Sequence, residues 1–186
     1  MRGRLVPILC AVAGVAVVAI LAYGLTQQGS SRALDEAIAA GRTPAAPDAT
    51  RQLPVLDGIA ARAASLARWR GHVLIVNFWA SWCDTCRAEV PYLERAQREL
   101  AASGAGTVLG VDYKDVASDA IGYATAQGIT FPNLRDRDGS FAAVYGTVAL
   151  PETFVLDSRS RVVALERGPV LDQEWLNRAI ARAERA

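Results

Sequence analysis

The longest uninterrupted apolar stretch of the chain lies near its amino terminus, at residues 5–25, where LVPILCAVAGVAVVAILAYGL contains no charged residue. A helix of this length, rising about 1.5 Å per residue, spans the roughly 30 Å hydrocarbon core of a bilayer. Arg2 and Arg4 precede it, and the positive-inside rule then leaves the amino terminus in the cytoplasm. The pattern predicts a cytoplasmic basic flank (residues 1–4), a single-pass transmembrane signal-anchor (residues 5–25) and an extracytoplasmic remainder.

A cleaved signal peptide is the alternative for the same stretch, because AYG at residues 22–24 is a passable cleavage site. The apolar region of a signal peptide is usually shorter, about 7–15 residues, which favours the anchor. Cys10 lies inside the stretch and is expected to be a small apolar residue within the membrane.

The segment that follows, residues 26–52, is rich in Ser, Gln, Ala, Pro and Gly, a composition typical of a tether. A helical turn is expected within it around residues 34–40. Residues 53–186 then provide enough chain for one domain with one core.

Within that domain, predicted strands and helices alternate. The run HVLIVNFW (72–79) is almost continuously apolar, as in a strand buried on both faces. Residues 85–103 have apolar positions at helical spacing, with Pro91 expected to bend the helix. Further strands are predicted at 107–113, 131–136, 153–157 and 162–168, and further helices at 117–128, 140–146 and 172–186. This order predicts an α/β domain, with a mixed sheet and helices on both of its sides.

Composition narrows the range of partners. The 186-residue chain has a formal net charge of only +1, whereas nucleic-acid binders concentrate basic charge. Nucleic acid is therefore excluded as the main partner. The 52 % hydrophobic content is inflated by the predicted anchor.

Cys83 and Cys86 form a Cys-x-x-Cys pair in NFWASWCDTCRAEVP, which suits a disulfide staple, half of a metal site or a redox centre. Zinc needs four nitrogen or sulfur ligands, and His72 is the one histidine, so no metal site is expected. A staple across so short a loop removes little entropy from the unfolded chain. The redox interpretation is favoured, in an oxidising compartment where paired thiols can cycle.

The positions of the two cysteines suggest separate roles. Cys83 is predicted at the start of a helix, where the partial positive charge lowers a thiol pKa, so it is the candidate nucleophile. Cys86, one turn on and deeper, is the candidate resolving thiol. Glu89 continues the same face and is either the acceptor of the Cys86 proton or an ordinary exposed helix glutamate. Asp84 opposes ionisation of Cys83, which favours a reductase over an oxidase.

A second motif, VALPETFVLD, places Pro151 directly before a predicted strand, a position that suits a cis peptide bond. If Pro151 packs opposite the cysteines, the backbone of Leu150 can pair with an extended substrate peptide. Trp82, Val148 and Leu150 would form the apolar rim of this groove. The alternative for Trp82 and Val148 is that they belong to the core.

Together, NFWASWCDTCRAE, VDYKD and LPETFVLD resemble the thioredoxin superfamily, and within it the membrane-anchored thiol–disulfide reductases of cytochrome c maturation, of the DsbE/CcmG and TlpA/ResA type. The resemblance implies a thioredoxin fold with an amino-terminal β-hairpin and an αβ insertion near residues 113–140. It implies no cofactor, a membrane electron donor of the CcdA/DsbD type, and the disulfide of apocytochrome c as substrate. Carried over by position, Cys83 and Cys86 are the active pair, Glu89 is the acidic helix residue and Pro151 the cis proline.

The chain departs from the pattern at three positions. Asn77 stands where ordinary thioredoxins keep a buried aspartate, which shifts proton transfer toward Glu89. Asp84 replaces the proline common between the cysteines, and Leu150 is bulkier than the residue often found before the cis proline. A general extracytoplasmic disulfide oxidase or isomerase, and a non-catalytic redox-sensing module that binds a partner, remain alternatives.

Overall fold

A computed structural model of the chain describes residues 33–57 and 62–186, together with residues 14, 15 and 18. The predicted basic flank and nearly all of the predicted anchor lie outside these residues, and the three described positions within the anchor are helical. In the described part of the chain, no helix is long and apolar enough to cross a bilayer. The anchor therefore remains a prediction.

The described residues form two sheets. Their strands are β1 (Leu53–Pro54), β2 (Ala63–Ala64), β3 (Val73–Trp79), β4 (Gly106–Tyr113), β5 (Asn133–Asp136), β6 (Glu152–Leu156) and β7 (Val162–Arg167). The central sheet has the order β5-β4-β3-β6-β7. Strand β3 runs parallel to β4, and β4 parallel to β5, whereas β6 is antiparallel to both β3 and β7. Every residue of β3 is buried, as its apolar run predicts, and the predicted mixed sheet is confirmed.

Helices cover both faces of this sheet. They are α1 (residues 33–39), α2 (Cys86–Ser103), α3 (Ala117–Ala126), α4 (Ser140–Val144) and α5 (Gln173–Glu184), with a 3-10 helix at Leu66–Trp69. Leu93 of α2 and Leu176 of α5 pack with Ile75 on one face. Leu34 of α1 and Phe141 of α4 belong to the core on the other face. The domain is the α/β domain that the alternating pattern predicts.

The amino-terminal hairpin and the αβ insertion that the resemblance implies are both present. Strands β1 and β2 form an antiparallel pair with Leu53 opposite Ala64. Helix α3 and strand β5 follow β4, and β5 extends the sheet in parallel with β4. An isolated bridge between Val55 and Leu134 joins the hairpin to the β5 edge.

Helix ends agree with the local sequence signals. The Asp172 side chain accepts a hydrogen bond from the Glu174 amide at 2.8 Å, as expected of an N-cap. Helix α3 ends shortly before Gly128, which has a positive φ of 67°. Helix α2 begins at Cys86 and continues through Pro91 to Ser103.

Residues 33–52 differ from the predicted tether, because they pack against the domain. Leu34 and Ala37 of α1 are buried in the core. Ala45 forms a bridge with Arg161, and the Val162 amide donates to the Pro44 carbonyl at 2.8 Å. The physical reason is the i, i+3, i+4 spacing of Leu34, Ala37 and Ile38, which gives the short helix one apolar face.

Candidate active site

The two cysteines lie at the junction of β3 and α2 and are joined by a disulfide bond. Cys83 lies in the turn that follows the strand, and its amide donates to the Ala80 carbonyl at 3.2 Å. Cys86 is the first residue of α2. Cys83 is 6 % exposed and Cys86 is 1 % exposed. The Cys83 sulfur is therefore the one that a substrate can reach first.

Helix α2 presents its amino terminus to the Cys83 sulfur. The Cys86 amide donates to Cys83 Sγ at 3.2 Å, and the Thr85 hydroxyl lies 3.5 Å from the same sulfur. Free amides and the helix dipole stabilise negative charge at this position, which lowers the pKa of a thiol there. The contact is the one expected of a nucleophilic cysteine.

Glu89 is buried, with 1 % of its surface exposed, so it is not an ordinary exposed helix glutamate. Its Oε1 accepts a hydrogen bond from Asn77 Nδ2 at 2.8 Å, and its Oε2 accepts one from the Val170 amide at 3.0 Å. Asn77 Nδ2 also contacts the Thr153 hydroxyl at 3.0 Å. The residue that departs from ordinary thioredoxins, Asn77, thus holds the carboxyl in place.

Burial in this position raises the pKa of Glu89 to about 7, against the opposing effect of the hydrogen bonds from Val170 and Asn77. A carboxyl with a pKa near neutrality can both accept and release a proton at physiological pH. Glu89 lies three residues after Cys86 on α2, and both side chains are buried. The arrangement suits proton exchange with the inner thiol.

The proline loop packs against the cysteine turn. The Leu150–Pro151 peptide bond is cis, as predicted from the sequence. The Thr85 hydroxyl donates to the Leu150 carbonyl at 3.4 Å, and Leu150 packs against the small cluster that contains Cys83 and Cys86. The Leu150 residue that precedes Pro151 therefore lies beside the cysteine turn.

The residues predicted for the groove rim are exposed to different degrees. Trp82 is 56 % exposed and Val148 is 83 % exposed, so neither belongs to the core. Leu150 is half-buried. Tyr113 at the end of β4 was not predicted, and its ring centroid lies 6.3 Å from that of Trp82.

Sequence reasoning also missed Asp115, whose carboxylate holds Ser81, the residue before Trp82. Asp115 accepts hydrogen bonds from the Ser81 amide at 2.6 Å and from the Ser81 hydroxyl at 3.0 Å. The VDYKD motif contains Asp115, but the motif alone does not say which loop the carboxylate meets. Asp115 ties the end of β4 to the turn that carries Cys83.

A second buried carboxyl, Asp112, lies on β4 opposite Trp79. Its Oδ2 accepts from Arg135 Nε at 3.3 Å, while its Oδ1 accepts no hydrogen bond from any described residue. Burial raises the pKa of Asp112 to about 7, and the negative charge of Asp115 adds to this against the opposing Arg135. Asp112 was not singled out by the sequence.

No group of three potential metal ligands occurs within residues 33–57 and 62–186. The reactive groups that the described site does present are the two sulfur atoms of the disulfide and the Glu89 carboxyl.

Comparison with known proteins agrees with this geometry. The Redoxin family model matches residues 40–182. The thiol:disulfide interchange protein DsbE homolog of Paracoccus denitrificans is 38 % identical over 115 residues, which cover 61 % of each chain. The thiol-disulfide oxidoreductase ResA of Geobacillus thermodenitrificans is 30 % identical over 138 residues, or 74 % of this chain and 75 % of ResA. The chain thus spans less than two thirds of the length of the Paracoccus protein. It spans three quarters of the length of ResA.

Solved structures give the same grouping. A DsbE-type thiol:disulfide interchange protein from Chlorobium tepidum superposes with a TM-score of 0.67 at 27 % identity, covering 76 % of this chain and 96 % of that one. A secreted thiol-disulfide isomerase from Corynebacterium glutamicum has a TM-score of 0.65 at 29 % identity, covering 73 % and 84 %. Because the fold, the Cys-x-x-Cys pair and these matches agree, the chain belongs to the Redoxin family, in its DsbE- and ResA-like group.

Proposed function

We propose that the chain is a thiol–disulfide oxidoreductase that reduces disulfide bonds of protein substrates outside the cytoplasm. The observation that carries this proposal is the Cys83 sulfur, which lies on the α2 amino terminus beside the Leu150–Pro151 cis bond. The names of the relatives, which are thiol:disulfide interchange proteins and oxidoreductases, support it.

The reaction begins from the dithiol form. The Cys83 thiolate attacks one sulfur of the substrate disulfide, the substrate S–S bond breaks, and the departing substrate thiolate takes up a proton. A mixed disulfide now joins Cys83 to the substrate. The Cys86 thiolate then attacks Cys83 Sγ, releases the second substrate thiol and forms the Cys83–Cys86 disulfide. Two electrons pass from the cysteine pair to the substrate, and the described structure corresponds to the oxidised product.

Glu89 serves the second step. Cys86 must lose its proton before it can attack, and it is buried away from water, where the thiolate form is disfavoured. Glu89, with a pKa of about 7, accepts that proton at neutral pH. The hydrogen bonds from Asn77 and Val170 keep the carboxyl oriented while its charge changes.

The groove rim offers a binding surface for the chain segment that carries the substrate disulfide. Trp82 and Val148 offer exposed apolar surface. The Leu150 carbonyl lies at the cysteine turn, where it accepts from the Thr85 hydroxyl. An extended peptide can pair with this backbone while its side chains contact the two apolar residues. Substrate binding is thus assigned to Trp82, Val148, Leu150 and Pro151.

The finer assignment is a membrane-anchored reductase of cytochrome c maturation. The predicted anchor over residues 5–25 would keep the catalytic domain at the outer face of the cell membrane, or in the periplasm. A membrane electron donor of the CcdA/DsbD type would restore the dithiol, and the haem-binding disulfide of apocytochrome c would be the substrate. Asp84 supports the reductive direction, because its charge disfavours the Cys83 thiolate and so makes the disulfide a weaker oxidant.

The reduction potential of the full chain, equilibrated with a dithiol buffer, tests the direction of electron flow, with Cys83→Ser as the control that cannot form the disulfide. A potential near about −270 mV or lower, similar to that of thioredoxin, is expected of a reductase. A potential near about −120 mV would contradict it and support an oxidase.

An isomerase is the second candidate, because the similar Corynebacterium structure is named a secreted thiol-disulfide isomerase. Recovery of activity by a scrambled disulfide-bonded protein separates the two, since an isomerase restores native pairings and a dedicated reductase only cleaves them. Failure to turn over either kind of disulfide would instead leave a partner-binding redox module.

A further inference from the structure

One guanidinium group joins the amino-terminal helix to the loop that carries the groove. The groove loop is defined here as residues 145–151, between α4 and β6, and it contains Val148, Leu150 and Pro151. Arg167 at the end of β7 pairs across the sheet with Glu152, the residue that follows the loop. Its side chain lies 23 % exposed beside the 2 % exposed Glu152 carboxylate.

Arg167 contacts the start of the groove loop and the residue that follows its end. Arg167 Nη2 donates to the Tyr145 carbonyl at 3.2 Å, at the start of the loop. Arg167 Nη1 donates to Glu152 Oε2, directly after the loop. The other carboxylate oxygen, Glu152 Oε1, accepts the Val148 amide at 3.3 Å. Two points of the loop, Tyr145 and Val148, are thus held through one ion pair with the residue that follows the loop.

Helix α1 holds the guanidinium from the other side. Asp35 Oδ2 accepts from Arg167 Nη2 at 2.7 Å and Asp35 Oδ1 accepts from Arg167 Nε at 3.2 Å. A two-point contact of this kind restrains the plane of a guanidinium as well as its position. The Phe154 ring supports that plane from below, 5.0 Å from Arg167 Cζ.

From these contacts we infer that Asp35 and Arg167 are positioning residues for substrate binding, which set the groove loop from the amino-terminal helix. Glu152 is buried and needs its cation, since an unpaired buried carboxylate is unstable. When Asp35 is lost, Arg167 keeps Glu152 but loses the two-point contact that restrains its plane, and the Tyr145 and Val148 contacts loosen together. The inference extends the proposed function, on which its kinetic part rests.

Amide hydrogen exchange of the groove loop tests the structural part, in the full chain purified in detergent with its disulfide intact. Asp35→Asn removes the charge and keeps the side-chain size, and Glu36→Gln on the same helix is the matched control because Glu36 is exposed. Exchange at the Val148 amide is expected to rise about threefold to fivefold in Asp35→Asn, in line with the loss of a partly exposed ion pair. Exchange equal to wild type in Asp35→Asn, or an equal rise in Glu36→Gln, overturns the inference.

Arg167 provides a stronger form of the same test. Arg167→Gln removes the contacts to α1, to Tyr145 and to Glu152, and the exchange rate is expected to rise by about tenfold or more. Arg167→Lys keeps the positive charge but lacks the planar guanidinium. Its exchange rate is expected to lie between the rates of Arg167→Gln and wild type. If Arg167→Lys exchanges as slowly as wild type, the planar guanidinium is not what positions the loop, and that outcome contradicts the inference.

The kinetic part uses a synthetic peptide with an intramolecular Cys-x-x-Cys-His disulfide. Asp35→Asn is expected to raise KM about threefold, while kcat and the rate of alkylation of reduced Cys83 by iodoacetamide stay at the wild-type values. A lower kcat at unchanged KM would contradict a role in substrate positioning. If the wild-type chain does not reduce the peptide, the proposed function fails, whereas the exchange experiment still decides the coupling of α1 to the loop.

Discussion

Two buried carboxyls near the cysteines, Glu89 and Asp112, have a pKa raised to about 7, yet their surroundings differ. Glu89 is held by two neutral donors, the Asn77 amide and the Val170 N–H. Asp112 is held by a cation, Arg135, and one of its oxygens accepts no hydrogen bond from any described residue.

The difference shows that a perturbed pKa alone does not identify a proton-transfer residue. Glu89 can change charge without breaking an ion pair, because both of its partners are uncharged donors. A proton on Asp112 weakens its attraction to Arg135, which in turn donates to the Asp115 carbonyl at 2.8 Å. Glu89 therefore suits catalysis, and Asp112 suits the structure of the sheet edge.

The largest expected effect is on catalysis. Glu89→Gln removes the proton acceptor for Cys86, and the rate of disulfide reduction at pH 7 is expected to fall about 10²-fold or more. The wild-type rate should rise as the pH passes through about 7, where Glu89 loses its proton, and this step should be missing in the variant. Stopped-flow reduction of a peptide disulfide between pH 5 and pH 9 measures both.

The matched control for that experiment is Asp112→Asn, which makes the same chemical change at the other buried carboxyl. Its rate and pH profile are expected to match wild type. A loss of rate in Asp112→Asn as large as in Glu89→Gln would remove the distinction between the two groups.

The second effect is on stability. Arg135→Gln leaves Asp112 without its cation, and the free energy of unfolding at pH 8 is expected to fall by about 3 kcal/mol. At pH 5, where Asp112 is protonated, the loss should be smaller, about 1 kcal/mol, because a neutral carboxyl needs no cation. Urea unfolding at the two pH values gives the difference. Equal losses at pH 5 and pH 8 would mean that the charge of Asp112 does not matter.

The third effect is the pH dependence of wild-type stability. Both carboxyls have a higher pKa when folded than the usual values of about 4 when unfolded, so the folded state binds more protons between pH 4 and pH 7. The free energy of unfolding is therefore expected to fall as the pH rises through this window, by up to about 1.4 kcal/mol per pH unit for each carboxyl. Glu89→Gln and Asp112→Asn should each make the urea-unfolding profile flatter. A profile unchanged by both substitutions would contradict the raised pKa values.

Much of the scaffold was predictable from local patterns. The apolar run of β3 and the Cys-x-x-Cys pair after it are contiguous in sequence, so their relation follows from chain connectivity. Pro151 was predictable as the proline before a strand, although its packing opposite the cysteines could be stated only as a condition.

The remaining parts depend on contacts between distant segments. Helical spacing placed Glu89 on the face of Cys86 but could not give its depth, which depends on Asn77 and Val170. Asp112 and Arg135 are 23 residues apart and meet because they are opposite each other in the β4–β5 register. The composition of residues 26–52 predicted a tether, so the packing of the apolar face of α1 against the domain was not predicted.

The packing of α1 also decides where the catalytic domain can be separated from the rest of the chain. A soluble fragment that begins at residue 53, where composition places the boundary, would lack Leu34, Ala37 and Ala46, which are all buried. Burial of a single leucine contributes about 1.5–3 kcal/mol, a large share of the stability of a small domain. A protease that cuts between residues 40 and 52 would therefore leave a weakened protein, and a recombinant domain must include the chain from residue 33 onward.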